Sequence, residues 1–156
     1  MSESDLIALY SARILELTTQ IPHLGRLQAG LEGQIWAGSA RSAQCGSTVA
    51  VEIALTEGRI TAYAQTVKAC ALGQASAAIF GAGVLGQSPQ DIAKLRESVA
   101  KMLAENGPDP ADPFAEYAVL RAAASYKNRH NSILLCMDAV LRACASASEK
   151  KPPLTP

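Results

Sequence analysis

The chain has 156 residues, 49% of them hydrophobic, and its fourteen Lys and Arg balance fourteen Asp and Glu. This length and apolar content suit one domain with a core of its own, and the balanced charge without a Lys/Arg-dense block argues against nucleic acid or an anionic membrane as partner. The opening MSESDLIALY carries acids where a signal peptide needs a positive region, and no apolar run reaches membrane-spanning length, so the expected location is the cytoplasm.

Ser4 and Asp5 predict the cap of a first helix, with Leu6, Leu9, Ile14 and Leu17 on one face, ending before Pro22 and Gly25. The alternation Val49, Val51, Ile53, Leu55, the turn Thr56-Glu57-Gly58, and then Ile60, Ala62, Ala64 predict an antiparallel hairpin with one buried face. Leu27 to Trp36 is the candidate third strand, because two strands alone are marginal in water. Beyond Cys70 the pattern is helical: Ala71 to Leu85, Ser88-Pro89 to about Glu105, Phe114 to Ala124, and Asn131 to about Ala145, with a proline-rich loop over 106–113. The fold class is therefore α+β, a three-stranded antiparallel sheet packed against about five helices. The folded domain is expected over residues 1–147 and a disordered tail over 148–156.

Gly81, Gly83 and Gly86 spell GxGxxG, but they fall at the end of a helix, whereas a dinucleotide cradle needs a strand before the first glycine and a helix after the last. They read as packing and stop signals. The cysteines at 45, 70, 136 and 144 are expected to be reduced, each either a small buried hydrophobe or a thiol kept for reactivity or metal. Cys70 follows a strand and opens a helix, where unpaired backbone N–H groups favour a thiolate. Cys45 precedes the strand that pairs with it, so the hairpin carries both sulfurs to one end of the sheet. Cys136 and Cys144 share a helix face and read as core, and His23 reads as a surface residue. No HExxH, G-x-S-x-G or P-loop is present, so no enzymatic activity is expected.

The segments "LYSARILELTTQIPHLGRL" (9–27), "QCGSTVAVEIAL" (44–55), "KACALGQASAA" (68–78) and "NRHNSILLCMDAV" (128–140) together resemble the IscU/NifU N-terminal scaffold proteins of iron-sulfur cluster assembly, including their SufU-like branch. The resemblance implies that Cys45 and Cys70 match the first two cysteine ligands and that His130 matches the histidine beside the last one. The chain departs at two positions, with Ser47 where the family usually has aspartate and Asn131 where the last cysteine would stand. It implies a scaffold or sulfur acceptor holding zinc or a labile iron-sulfur cluster at Cys45, Cys70 and His130, with the fourth donor open between Ser47, Cys136, water and another chain. The implied partners are a cysteine desulfurase and apo-protein acceptors, and Lys127 and Arg129 read either as a solvated basic cluster or as partner contacts. The implied state is a monomer or weak homo-oligomer. The alternative is a non-catalytic interaction protein of the same fold that has lost cluster binding.

Overall fold

The computed structural model describes residues 11–27 and 34–150. A short helix α1 (Ala12–Thr18) precedes a three-stranded antiparallel meander, β1 (Ile35–Arg41), β2 (Thr48–Thr56) and β3 (Arg59–Lys68), in the order β1-β2-β3. Helices α2 (Ala71–Gly83) and α3 (Pro89–Glu105), a 3₁₀ helix (Ala115–Ala123) and the long α4 (Lys127–Lys150) complete the α+β architecture. Helix α4 lies along β1 and β2, with α2 and α3 packed against it.

The hairpin forms where the alternation predicts it, with Val49, Val51 and Ile53 buried. In β3 Ile60 is buried as predicted, but beyond it a register shift between Ala54 and Leu55 reverses the alternation. Val67, Gln65 and Tyr63 pair with Val49, Val51 and Ile53, so those three join the core face; Ala62 and Ala64 take the other face. The third strand also differs from expectation. Only Ile35 and Trp36 of the predicted Leu27–Trp36 strand belong to β1; residues 28–33 lie outside the described residues, and the strand continues through Ala-Gly-Ser-Ala. Gly38 explains that composition: a Cβ there would collide with the Ala139 carbonyl and the Ala143 backbone nitrogen of α4. Strand β1 is small because the backbone of α4 rests on it.

The predicted Ser4-Asp5 cap lies outside the described residues; α1 is capped at Ser11, whose hydroxyl accepts from the Ile14 N–H. Ser88 and Asp91 form a reciprocal capping box with proline opening α3. The predicted helix 114–124 is a 3₁₀ helix. Its buried residues Phe114, Tyr117, Leu120 and Ala123 recur every third position, which a three-residue turn stacks on one face. Helix α4 starts at Lys127, earlier than Asn131, and runs to Lys150, into the segment expected as tail. Residues 151–156 lie outside the described residues.

The GxGxxG glycines are packing and turn positions. A Cβ on Gly81 would meet Pro22 and Gln65, one on Gly83 would meet Pro113 and Phe114, and Gly86 turns at φ +89.

Candidate functional site

The turn between β1 and β2 carries Cys45, and the junction between β3 and α2 carries Cys70, so antiparallel pairing brings both to the same end of the sheet. The turn is closed by Gly46 N–H donating to the Ser42 carbonyl at 2.8 Å and Ser42 N–H donating to the Ser47 carbonyl at 2.9 Å, with Gly46 at φ +73. Cys70 is the N-cap of α2 in an extended conformation, and its carbonyl accepts from the Gln74 N–H.

The two thiols are joined through two buried serines. Cys70 Sγ lies 3.4 Å from Ser132 Oγ, Ser132 Oγ donates to Ser47 Oγ at 3.1 Å, and Ser47 Oγ lies 3.1 Å from Cys45 Sγ. A hydroxyl has one proton. Because Ser132 gives its proton to Ser47, it can only accept from the Cys70 thiol, and Ser47 is left to donate to Cys45. The chain of donors therefore runs from Cys70 to Cys45 and makes the two sulfurs unequal. Burial alone pushes the Cys45 thiol up, but the nearby Ser42 hydroxyl, the Ser47 hydroxyl and backbone N–H and, behind Ser47, the Ser132 hydroxyl outweigh it and bring the thiol down to about 7. Ser42 is the largest of these lowering influences, although its buried Oγ has no partner within hydrogen-bond distance. With the thiol at about 7, roughly half of Cys45 is thiolate at neutral pH.

His130 sits in the first turn of α4, but its Nε2 lies 3.1 Å from the Ala123 carbonyl and 2.9 Å from the Ala124 carbonyl, so it donates to the end of the 3₁₀ helix. Two helical positions separate it from Ser132, which turns the imidazole to a different face from the serine that meets the thiols. Among the described residues no three His, Cys, Asp or Glu side chains are grouped to hold a metal ion. The expected meeting of Cys45, Cys70 and His130 is therefore a meeting of the two cysteines through Ser47 and Ser132. Asn131 is exposed.

Cys136 is buried against Ser76 Oγ at 3.5 Å and the Tyr117 hydroxyl at 3.7 Å, and burial pushes it up to about 11. Cys144 is buried too, and burial raises it. His23 is exposed, edge-on to Tyr63. Ser42 and Ser132 are the participants that sequence reasoning missed. Ser132 had a signal, a lone hydroxyl at the head of the otherwise apolar Ile133–Met137 run; Ser42 had none.

The family model described as "NifU-like N terminal domain" matches residues 9–133, a span holding the serine-linked cysteines and His130. The chain belongs to that family. The N-terminal NifU-like protein from Brucella abortus is 35% identical, with 94% of this chain and 99% of that chain covered and a TM-score of 0.84. Two further solved structures share the fold at lower identity. A protein described as the iron-sulfur cluster assembly scaffold for the SUF system from thermophilic Fervidobacterium islandicum AW-1 is 15% identical, with 88% and 97% covered and a TM-score of 0.74. A hypothetical protein is 21% identical, with 89% and 98% covered and a TM-score of 0.72. No curated protein matches the chain. Among the described residues, no helix is long and apolar enough to cross a membrane.

Proposed function

We propose that this NifU-like domain is a sulfur acceptor and scaffold in iron-sulfur cluster assembly, with Cys45 as the acceptor thiolate and Cys70 as its companion. The observation that carries the reading is the one-directional chain Cys70–Ser132–Ser47–Cys45, which supplies a hydrogen-bonded thiolate beside a second thiol. In the first step the Cys45 thiolate attacks the terminal sulfur of a persulfide on a cysteine desulfurase. A sulfur–sulfur bond forms on Cys45, the donor's sulfur–sulfur bond breaks, and the desulfurase cysteine leaves as a thiolate. The hydroxyls that stabilise the Cys45 thiolate then hold the anionic persulfide in its place.

Iron or zinc is cargo in this reading. Two thiolates suit a thiophilic ion and fill two of four tetrahedral positions. Cys45 and Cys70 are the proposed first ligands, and His130 is the proposed third donor, which requires its Nε2 to leave the Ala123 and Ala124 carbonyls. Ser47 in place of a carboxylate leaves the site short of negative charge, so a labile cluster completed by incoming sulfide or by an apo-protein's thiols fits better than a permanently held ion.

The engagement of His130 favours a second reading, an interaction protein of the same fold without cluster binding. Anaerobic incubation with a cysteine desulfurase and cysteine, then with ferrous iron and a thiol reductant that supplies the electrons for sulfane sulfur to become sulfide, separates the two. The scaffold reading predicts a persulfide on Cys45 and an iron-sulfur absorption band, both absent in Cys45→Ala. A protein that docks the desulfurase yet gains neither sulfur nor band is the second.

A further inference from the structure

We infer that Arg41, Lys68 and Arg129 form a basic collar around the two-cysteine site that docks an acidic surface of the protein delivering sulfur; the inference rests on the sulfur-acceptor reading above. Among the described residues the arginines sort cleanly. Arg13, Arg26, Arg59, Arg96 and Arg121 each pair with a carboxylate, and Arg142 donates to the Ser39 carbonyl. Arg41 and Arg129 make neither kind of contact among those residues, and both border the cysteines.

Their placement follows from register. Arg41, Thr48 and Lys68 form the last row of the sheet, one row beyond the core-facing Ala40, Val49 and Val67, so their side chains lie on the face away from α4. Arg41 leads into the Cys45 turn, Lys68 stands two residues before Cys70, and both are exposed. Arg129 sits one turn before Ser132 on α4, on the helix side of the same mouth. Among the described residues, 42–47 contain no acid, neither α2 nor α4 has one in its first turn, and Glu52 on the same sheet face is paired with Arg26. The positive ends of both helices add to the field.

The sheet face behind Arg41 and Lys68 is flat. Ser39, Ala50 and Thr66 form the next row, beside a shallow depression of about 410 Å³. The small side chains of that row let a partner's backbone approach while the collar takes its carboxylates, and Glu52, which also lines the depression, is neutralised by Arg26 at 3.0 Å. Unpaired cations beside a thiolate raise the encounter rate of an acidic partner, an effect of about 10- to 1,000-fold that fades with salt.

The test uses two peptides with the same activated thiopyridyl disulfide, one rich in Asp and Glu, the other in Lys and Arg. Attack by a protein thiolate on the peptide sulfur forms the mixed disulfide and expels thiopyridone, which reports the rate. The acidic peptide should react at least about tenfold faster at low ionic strength, and the ratio should approach one near 1 M salt, where the screening length is about 3 Å. The Arg41→Glu/Lys68→Glu/Arg129→Glu protein should reverse the preference, and the corresponding triple alanine protein should abolish it. Each rate is taken relative to that with uncharged dithiodipyridine on the same protein, which corrects for the change in Cys45 ionisation that the lost cations cause, and circular dichroism shows the fold intact. Equal rates for the two peptides with the wild-type protein, or a preference that survives both triple variants, would overturn the collar. So would an equally strong preference for dianionic dithiobis(nitrobenzoate), which would assign the charge to small anions. If the thiols show this preference but accept no sulfur from a desulfurase, the sulfur-acceptor reading fails and the collar stands.

Discussion

Replacing Ser47 and Ser132 together by alanine removes the nearest donor to Cys45 and the hydroxyl that orients it, without a change of backbone or much change of volume. The Cys45 thiol sits near 7 because this hydrogen bonding outweighs burial; an ordinary thiol is 9.0. The Ser42 hydroxyl and the Ser47 N–H, which also lower the thiol, stay in the variant, so complete loss is the upper bound, at which the thiolate fraction at pH 7 falls from about one half to about one hundredth, roughly 50-fold. The more basic thiolate is a better nucleophile, and a Brønsted slope of about 0.4–0.5 over two units returns a factor of roughly 6–10. The net expectation is a fall in the alkylation rate of Cys45 at pH 7, with about five- to eightfold as its ceiling. The sign changes with pH. Above about pH 9 both proteins are ionised at Cys45 and the variant should be the faster, so the two rate profiles cross. Iodoacetamide labelling across pH 5.5 to 10, read by mass spectrometry of the Cys45 peptide, measures both features. Parallel profiles with an unmoved midpoint would refute the assignment of the thiolate to this serine chain.

Gly38→Ala should cost about 1–3 kcal/mol or more, because the methyl meets α4 backbone that cannot rotate away; urea denaturation should show the midpoint falling with an unchanged slope. Ser88→Ala removes half of the capping box on α3 and should cost about 0.5–2 kcal/mol, with Ser88→Gly costing less, read by the same titration. Cys136, buried and pushed up to about 11, should resist iodoacetamide at pH 7 in the native state and label fully in denaturant.

The elements legible in the sequence are those whose local chemistry agrees with their surroundings. The hairpin announces itself through Val49, Val51 and Ile53 and through a turn at Glu57-Gly58, and α3 through Ser88-Pro89. From that hairpin the nearness of Cys45 and Cys70 follows, since antiparallel pairing carries the residue before one strand to the residue after the next. Strand β1 was illegible past Trp36 because α4 rests on it, and contact with a distant helix selects Ala37, Gly38 and Ser39 over β-branched residues. The reversed face of β3 depends on a single slip beside Ala54 that no local pattern encodes. At the site, the placement of His130 was illegible because its imidazole donates to the last carbonyls of the preceding 3₁₀ helix, a contact that no local pattern encodes. Ser42 and Ser132 look like ordinary serines until the fold buries them together.

The central claim is that Cys45, and not Cys70, takes sulfur. The direct measurement is intact and peptide mass spectrometry after a short pulse of cysteine and cysteine desulfurase, with persulfides trapped by an alkylating agent. One added sulfur on the Cys45 peptide, retained in Cys70→Ala and lost in Cys45→Ala, is the predicted result. Sulfur appearing first on Cys70, or on neither peptide while the desulfurase stays loaded, would contradict it.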